Sequence, residues 1–144
     1  MPSPAEYRWT IDRAPPADFY DHLGHLENVA VVRLLADARN AWFESLAAKG
    51  AGGPIVVRHL TVSYEREARP GDLLRCGVRA LTQGTTSVTL DQLLWRLADE
   101  VPIAHATATH VSWDTRTRAA IPNRPAMLAA IEECQGTPLP VARR

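Results

Sequence analysis

The segment Tyr20-Asp21-His22-Leu23-Gly24-His25-Leu26-Glu27-Asn28 concentrates groups that can do chemistry: two carboxylates, two imidazoles and a glycine. It directly precedes a long apolar run that reads as a helix. A helix N-terminus presents unpaired N–H groups and positive potential, both suited to a developing oxyanion. A carboxylate a few residues upstream can attack an acyl carbon, or activate water, beside such a donor. The same residues admit a structural reading, in which Asp21 closes an Asx turn and Gly24 supplies a positive φ. A metal site built from His22, His25 and Glu27 has loose spacing and no further ligand cluster, so no metal is expected.

The remaining reactive side chains point to packing. His105 and His110 lie five apart on a probable strand, so they face opposite ways and cannot chelate one ion. His59 reads as a strand residue. The only two cysteines, Cys76 and Cys134, form no C-x-x-C pair, which leaves no zinc ribbon or disulfide framework. Cys76 falls within a strand and reads as a small buried hydrophobe.

Elements must position the Asp21–Asn28 segment. Tyr7 to Asp12 alternates as a first strand, and Pro15-Pro16 then breaks the chain. Asn28 to Lys49 reads as one helix. Its polar residues Arg33, Asp37, Asn40 and Glu44 fall on one narrow stripe, and the rest of its circumference is apolar enough to be covered on most sides. Ala51-Gly52-Gly53-Pro54 ends it. Strands follow over Ile55 to Arg69, Leu73 to Thr82, Thr86 to Leu97 and Pro102 to Trp113, with turns at Arg69-Pro70-Gly71-Asp72, Gln83-Gly84-Thr85 and Ala98-Asp99-Glu100. These runs exceed the usual strand length of about 5–6 residues, as in a meander that curls around something. Ala104, Ala106 and Ala108 share one face of the last strand, leaving room for a close helix. A short helix is expected over Pro125 to Cys134, and residues 135–144 are expected to fray. The pattern implies an α+β domain spanning 1–144, with a core of about 7–132: one antiparallel sheet wrapped around one long helix.

Composition narrows the function classes. Sixteen basic residues balance sixteen acidic ones, so no net field calls for nucleic acid or an anionic membrane. No apolar run approaches the roughly 20 residues of a membrane span. The N-terminus lacks the basic and apolar regions of a signal peptide, so a cytoplasmic protein is expected.

With these residues in hand, Asp21-His22-Leu23-Gly24-His25-Leu26-Glu27-Asn28 resembles the D-x-x-G-H-x-N-N box of hotdog-fold acyl-CoA thioesterases of the 4-hydroxybenzoyl-CoA thioesterase type. Asp37-Ala38-Arg39 is similar to the acidic-x-Arg pattern of that family's central helix. Tyr64 with Arg69-Pro70-Gly71-Asp72 resembles its strand-turn signature, and Ala104 to Asp114 its last long strand. The resemblance implies a hotdog fold of about five long strands around one central helix. It implies hydrolysis of an acyl-CoA or acyl-carrier-protein thioester, with no cofactor and no metal, by a homodimer or homotetramer. Position by position, Asp21 matches the catalytic aspartate, as nucleophile or general base, and Gly24 the glycine that turns the chain into the helix. His25 matches the motif histidine, and Asn28 the residue whose N–H polarises the thioester carbonyl.

Three positions depart from the family pattern. Glu27 stands where asparagine is common, Val31 where tyrosine is common, and Phe19 where an earlier aspartate often occurs. A second carboxylate at Glu27 would raise the pKa of one member of an Asp21–Glu27 pair by like-charge repulsion, and it would also reshape the acyl pocket or mark a homologue without hydrolysis. Tyr64 is expected against the substrate, and Arg75, Arg79, Arg116 and Arg118 are candidates for the CoA phosphates. Arg39, in the middle of the apolar helix face, needs a carboxylate or several carbonyl partners and is read as structural. Two other functions remain open: a dehydratase or hydratase using Asp21 and His25 as acid and base, and a non-catalytic acyl-thioester-binding module. The alternative fold is a cone of helices and sheet of the nuclear transport factor 2 type. That fold would place helices mainly before the sheet, whereas here one long helix precedes four strands.

Overall fold

The computed structural model describes residues 1–143, and position 144 lies outside the described residues. After a 3-10 turn at Pro4–Glu6 come β1 (Trp9–Arg13), a second 3-10 turn at Ala17–Phe19, α1 (Asn28–Ala47), β2 (Ile55–Tyr64), β3 (Leu74–Gln83), β4 (Ser87–Arg96), β5 (Pro102–Asp114), β6 (Ala119–Ala120) and α2 (Pro125–Gln135). The strands form one sheet in the order β1-β3-β4-β5-β2, with the two-residue β6 added to β5. One antiparallel sheet and one long helix are the architecture expected.

α1 begins where Asn28 opens a run free of glycine and proline. Its expected polar stripe, Arg33, Asp37, Asn40 and Glu44, is exposed. Val31, Leu34, Leu35, Ala38, Trp42 and Leu46 are buried, and each large side chain contributes about 1.5–3 kcal/mol by leaving water. The helix stops in a Schellman cap. Gly50 adopts φ 75°, its N–H donates to the Ala47 carbonyl at 2.9 Å, and the Ala51 N–H donates to the Leu46 carbonyl at 3.0 Å. Leu46 and Ala51, the hydrophobic contact of that motif, are both buried.

The chain divides into two units, with α1 contributing to each. The first comprises Met1–Asn40, Val62–Val78 and Gln92–Ala106. There Tyr7 packs with Leu93 and Trp95, its ring 6.1 Å from that of Trp95. Gly77 makes this possible, because a Cβ at that position would meet the Tyr7 ring at 2.4 Å. Tyr7 therefore packs inward before the strand starts, and β1 runs Trp9–Arg13 rather than from Tyr7. β1 pairs with β3 antiparallel, placing Asp12 opposite Arg75. Cys76 is buried, and burial pushes its thiol up to about 12, so it packs as an inert hydrophobe. Arg39 is buried without a carboxylate. Its guanidinium donates to the Gln92 side-chain oxygen at 2.8 Å, and the Gln92 amide donates to the Leu35 carbonyl at 2.9 Å. Arg39 thus ties α1 to β4.

The second unit comprises Ala41–Thr61, Arg79–Asp91 and the chain from Thr107 onward. Trp42 and Phe43 meet edge to face at 5.0 Å, and Phe43 lies 5.0 Å from the His110 ring. Asn123 knits the turns together, donating to the Gly84 and Ser87 carbonyls and accepting from the Ser112 hydroxyl. Within the tail expected to fray, residues 139–142 make hydrogen bonds back to the domain. Leu139 is buried and its N–H donates to Glu132 at 2.7 Å. Gln83 receives the Ala142 N–H at 2.7 Å and donates its own N–H to the Pro140 carbonyl at 2.8 Å. Gln83, the last residue of β3, thereby forms an isolated parallel bridge with Val141.

Candidate active site

The loop from Tyr20 to Leu26 is a small closed hairpin. Tyr20 and Leu26 bridge antiparallel, and the Asp21 N–H donates to the His25 carbonyl at 2.9 Å. Asp21 Oδ1 accepts the Leu23 and His25 N–H groups at 2.9 and 3.0 Å. Gly24 sits at φ 76°, a region only glycine enters freely. Two clips hold the loop: Glu27 N–H to the Phe19 carbonyl at 2.9 Å, and Leu26 N–H to the Ala68 carbonyl at 3.2 Å. The structural role considered for Asp21 is therefore present, and it uses one carboxylate oxygen.

The electrostatics differ from the expectation of a raised carboxyl pKa. Asp21 is held below its ordinary value, first by the His25 N–H and further by the Leu23 N–H and the neighbouring His25 and His22 rings. Glu27 does not oppose this. It lines a separate small groove of about 170 Å³ with Phe19, Val29 and Arg33.

A groove of about 330 Å³ opens at the N-terminus of α1, lined by His25, Asn28, Val31, Tyr64, Glu67 and Ile103 among others. As the first residue of α1, Asn28 has no intrahelical acceptor for its N–H, and that N–H makes no backbone hydrogen bond among the described residues. The Tyr64 hydroxyl reaches the Asn28 carbonyl at 3.4 Å. The structure thus brings together four residues singled out in the sequence: His25, Asn28 and Tyr64 in the groove, and Gly24 in the loop beside it. Asp21 belongs to the same loop but does not line the groove.

The four candidate phosphate-binding arginines lie elsewhere. Arg75 forks onto Asp12 at 2.6 and 2.9 Å across the β1–β3 ladder. Arg79 pairs with the buried Asp91 at 3.0 Å. Arg116 and Arg118 belong to the turn after β5, where Asp114 accepts the Arg116 N–H and Arg118 adopts φ 55°. None of the four lines this groove.

Glu67 went unnoticed in the sequence. Its Oε2 lies 2.7 Å from His25 Nε2, and its Oε1 accepts from Arg69 Nε and Nη2 at 3.2 and 2.9 Å. Arg69 first, then His25, hold the Glu67 carboxyl below its ordinary value. The turn at Arg69-Pro70-Gly71-Asp72 supports it. Gly71 takes φ 91°, the Asp72 N–H closes on the Arg69 carbonyl at 3.0 Å, and Asp72 Oδ2 accepts the Arg69 N–H at 2.9 Å. Arg96 bonds both Asp72 and the Glu67 carbonyl at 3.0 Å. The available signal was a carboxylate two residues before this turn, hidden by reading the strand through to Arg69.

The sequence profile of the thioesterase-like superfamily matches residues 14–131, from the end of β1 into α2. The chain belongs to the thioesterase-like superfamily. Solved structures agree on the hotdog fold of this superfamily. A Thermus thermophilus thioesterase complexed with coenzyme A and zinc shares 22% identity and a TM-score of 0.81, over 93% of this chain and 98% of that one. A Synechocystis 1,4-dihydroxy-2-naphthoyl-CoA thioesterase shares 16% identity and a TM-score of 0.74, over 85% and 93%. A Staphylococcus aureus protein in complex with CoA shares 13% identity and a TM-score of 0.80, over 94% and 88%. None of the curated proteins matches the chain by sequence. Among the described residues, no helix is long and apolar enough to cross a membrane.

Proposed function

We propose that the chain hydrolyses the thioester of an acyl-CoA or acyl carrier protein in the groove at the N-terminus of α1. The observation that carries this reading is the Asn28 N–H, which faces no backbone acceptor and belongs to a residue lining the groove. It is the donor an oxyanion needs, in a position where the helix dipole adds to it. Asp21 is the nucleophile or general base. Its lowered pKa keeps it ionised, and Oδ2 remains for chemistry while Oδ1 holds the loop. A thiolate of pKa about 8.5 leaves without a strong acid, so one carboxylate and one N–H form a sufficient minimum. Val31, smaller than the tyrosine common at its position, widens the acyl end of the groove.

The CoA phosphates fall to Arg66 rather than to the arginines already engaged in ion pairs. Arg66 is exposed and lines both this groove and an adjoining one of about 530 Å³ shared with Glu67, Arg69 and Arg96. A second copy of the chain completes the site, since β2 at the sheet edge leaves Val56, Val57 and Tyr64 exposed. Thiol release over acetyl-, medium-chain, long-chain and benzoyl-CoA tests the reaction, with turnover expected on at least one. Hydration of an enoyl thioester without thiol release would support the dehydratase instead. Because Asp21 does not line the groove, a binding module is the second reading, and tight acyl-CoA binding without turnover would favour it.

A further inference from the structure

Lys49 and Cys134 form a nucleophilic pair away from the groove. Lys49 Nζ donates to Cys134 Sγ at 3.0 Å, joining residues 85 apart in sequence. Both belong to the second unit, and each backbone is anchored independently of this contact. Lys49 stands in the Schellman turn that ends α1, its N–H on the Leu46 carbonyl at 3.0 Å. Cys134 stands in the last turn of α2. Its neighbour Gln135 bonds the Ala80 N–H and carbonyl of β3 at 2.6 and 3.2 Å, and the Gly136 N–H closes on the Glu132 carbonyl at 2.8 Å. Met127, Ala130 and Ile131 of α2 are buried. Two fixed elements therefore bring the amine and the sulfur together.

Lys49 is the only lysine of the chain, and Cys134 is one of two cysteines. Cys76 is buried, whereas Cys134 is partly exposed, so an oxidant in solution reaches Cys134. A cysteine sulfenic acid condenses with a second thiol or with a nitrogen. Buried Cys76 offers no thiol, and the nitrogen in contact is Lys49 Nζ. We propose that Lys49 and Cys134 are joined by a reversible covalent clasp when the protein meets a peroxide. The Cys134 sulfur takes one oxygen from the O–O bond of hydrogen peroxide, giving a sulfenic acid and water. Lys49, after releasing its extra proton to solvent, attacks that sulfur. The S–N bond forms, the S–O bond breaks, and hydroxide leaves as water with a proton from the nitrogen. Sulfur is oxidised by two electrons and the peroxide is reduced by two. A dithiol reverses the step by attacking the sulfur, freeing the amine and then restoring the cysteine. The clasp ties the end of α1 to α2. It does not depend on the hydrolase reading, since neither residue lines the groove at Asn28.

The test adds hydrogen peroxide to the full-length wild type, C134S and K49R, and maps peptides by mass spectrometry without reduction. The wild type is expected to yield a peptide pair joined through Lys49 and Cys134, lighter by two hydrogens than its parts and separated by dithiothreitol. C134S is expected to yield none. K49R keeps the positive charge, but a guanidinium that never deprotonates cannot attack the sulfur. It should carry Cys134 on to the sulfinic acid, about threefold or more beyond the wild type. Closing the chain between residues 49 and 134 should raise the Tm of the oxidised wild type by about 5 °C or more, and not that of K49R. A wild type without the joined peptide overturns the proposal, as does equal sulfinic acid in wild type and K49R. A joined protein with an unchanged Tm also overturns it, because the bond then clasps nothing.

Discussion

Asp21 Oδ1 closes the loop through the Leu23 and His25 N–H groups, and in the proposed reaction Oδ2 is the oxygen left for chemistry. That division explains why the structural and catalytic readings of the sequence need not compete. It also sets the sign of the acid response. Asp21 and Asp12 lie below an ordinary value of 3.8, and Glu67 below 4.5, because N–H groups and guanidinium groups favour their charged forms. A carboxylate whose pKa is lower folded than unfolded contributes in full above the unfolded value, and its contribution is lost as pH falls through the folded one. The melting temperature should therefore hold steady from neutral pH down to about 5 and decline progressively below about 4.5. A decline that is complete by about pH 5 would contradict these pairings. Two of the side-chain pairings join residues far apart in sequence. The Arg75–Asp12 pair joins residues 63 apart, and such partners are chosen by sheet register, which local pattern does not encode. Arg39 found an amide rather than a carboxylate by the same long-range pairing.

At the scale of elements, α1 and the four long strands were readable because each carries its own periodicity and its own breakers. Their ends were less so. β2 stops at Tyr64, not Arg69; the Glu65 N–H still bonds the Ile103 carbonyl, and Arg66 and Glu67 beyond it line the grooves. An alternation rule cannot tell a residue that leaves the sheet to line a groove from one that stays. The bonds that residues 139–142 make to Gln83 and Glu132 carry no periodic signal in the sequence. The Schellman cap, by contrast, follows from glycine chemistry. A side chain at Gly50 would meet nothing within 4 Å, yet φ is 75°, so Gly50→Ala isolates backbone strain. It should cost about 1 kcal/mol, or roughly 3–5 °C in Tm. An unchanged Tm would show that the cap relaxes freely.

For the whole molecule, several large apolar side chains are left exposed. Leu23 and Val29, beside the loop and at the first turn of α1, are 67% and 70% exposed, and Val57 on the edge strand is 51% exposed. Surfaces of this kind next to an unpaired strand edge invite a second copy. The wild type should therefore sediment as a dimer or larger. Val57→Glu, which places like charges across such an edge, should shift it toward monomer and reduce turnover together. A wild-type monomer with full activity would contradict this.

The decisive comparison is thiol release by wild type and Asp21→Asn on the preferred acyl-CoA. The amide keeps an oxygen for the Leu23 and His25 N–H groups, so the loop and Tm should survive and any lost rate is lost chemistry. A fall in kcat of about 100-fold or more with folding intact is expected. Turnover that persists in Asp21→Asn would remove Asp21 from the reaction and move the search for the carboxylate to Glu67, which already lines the groove.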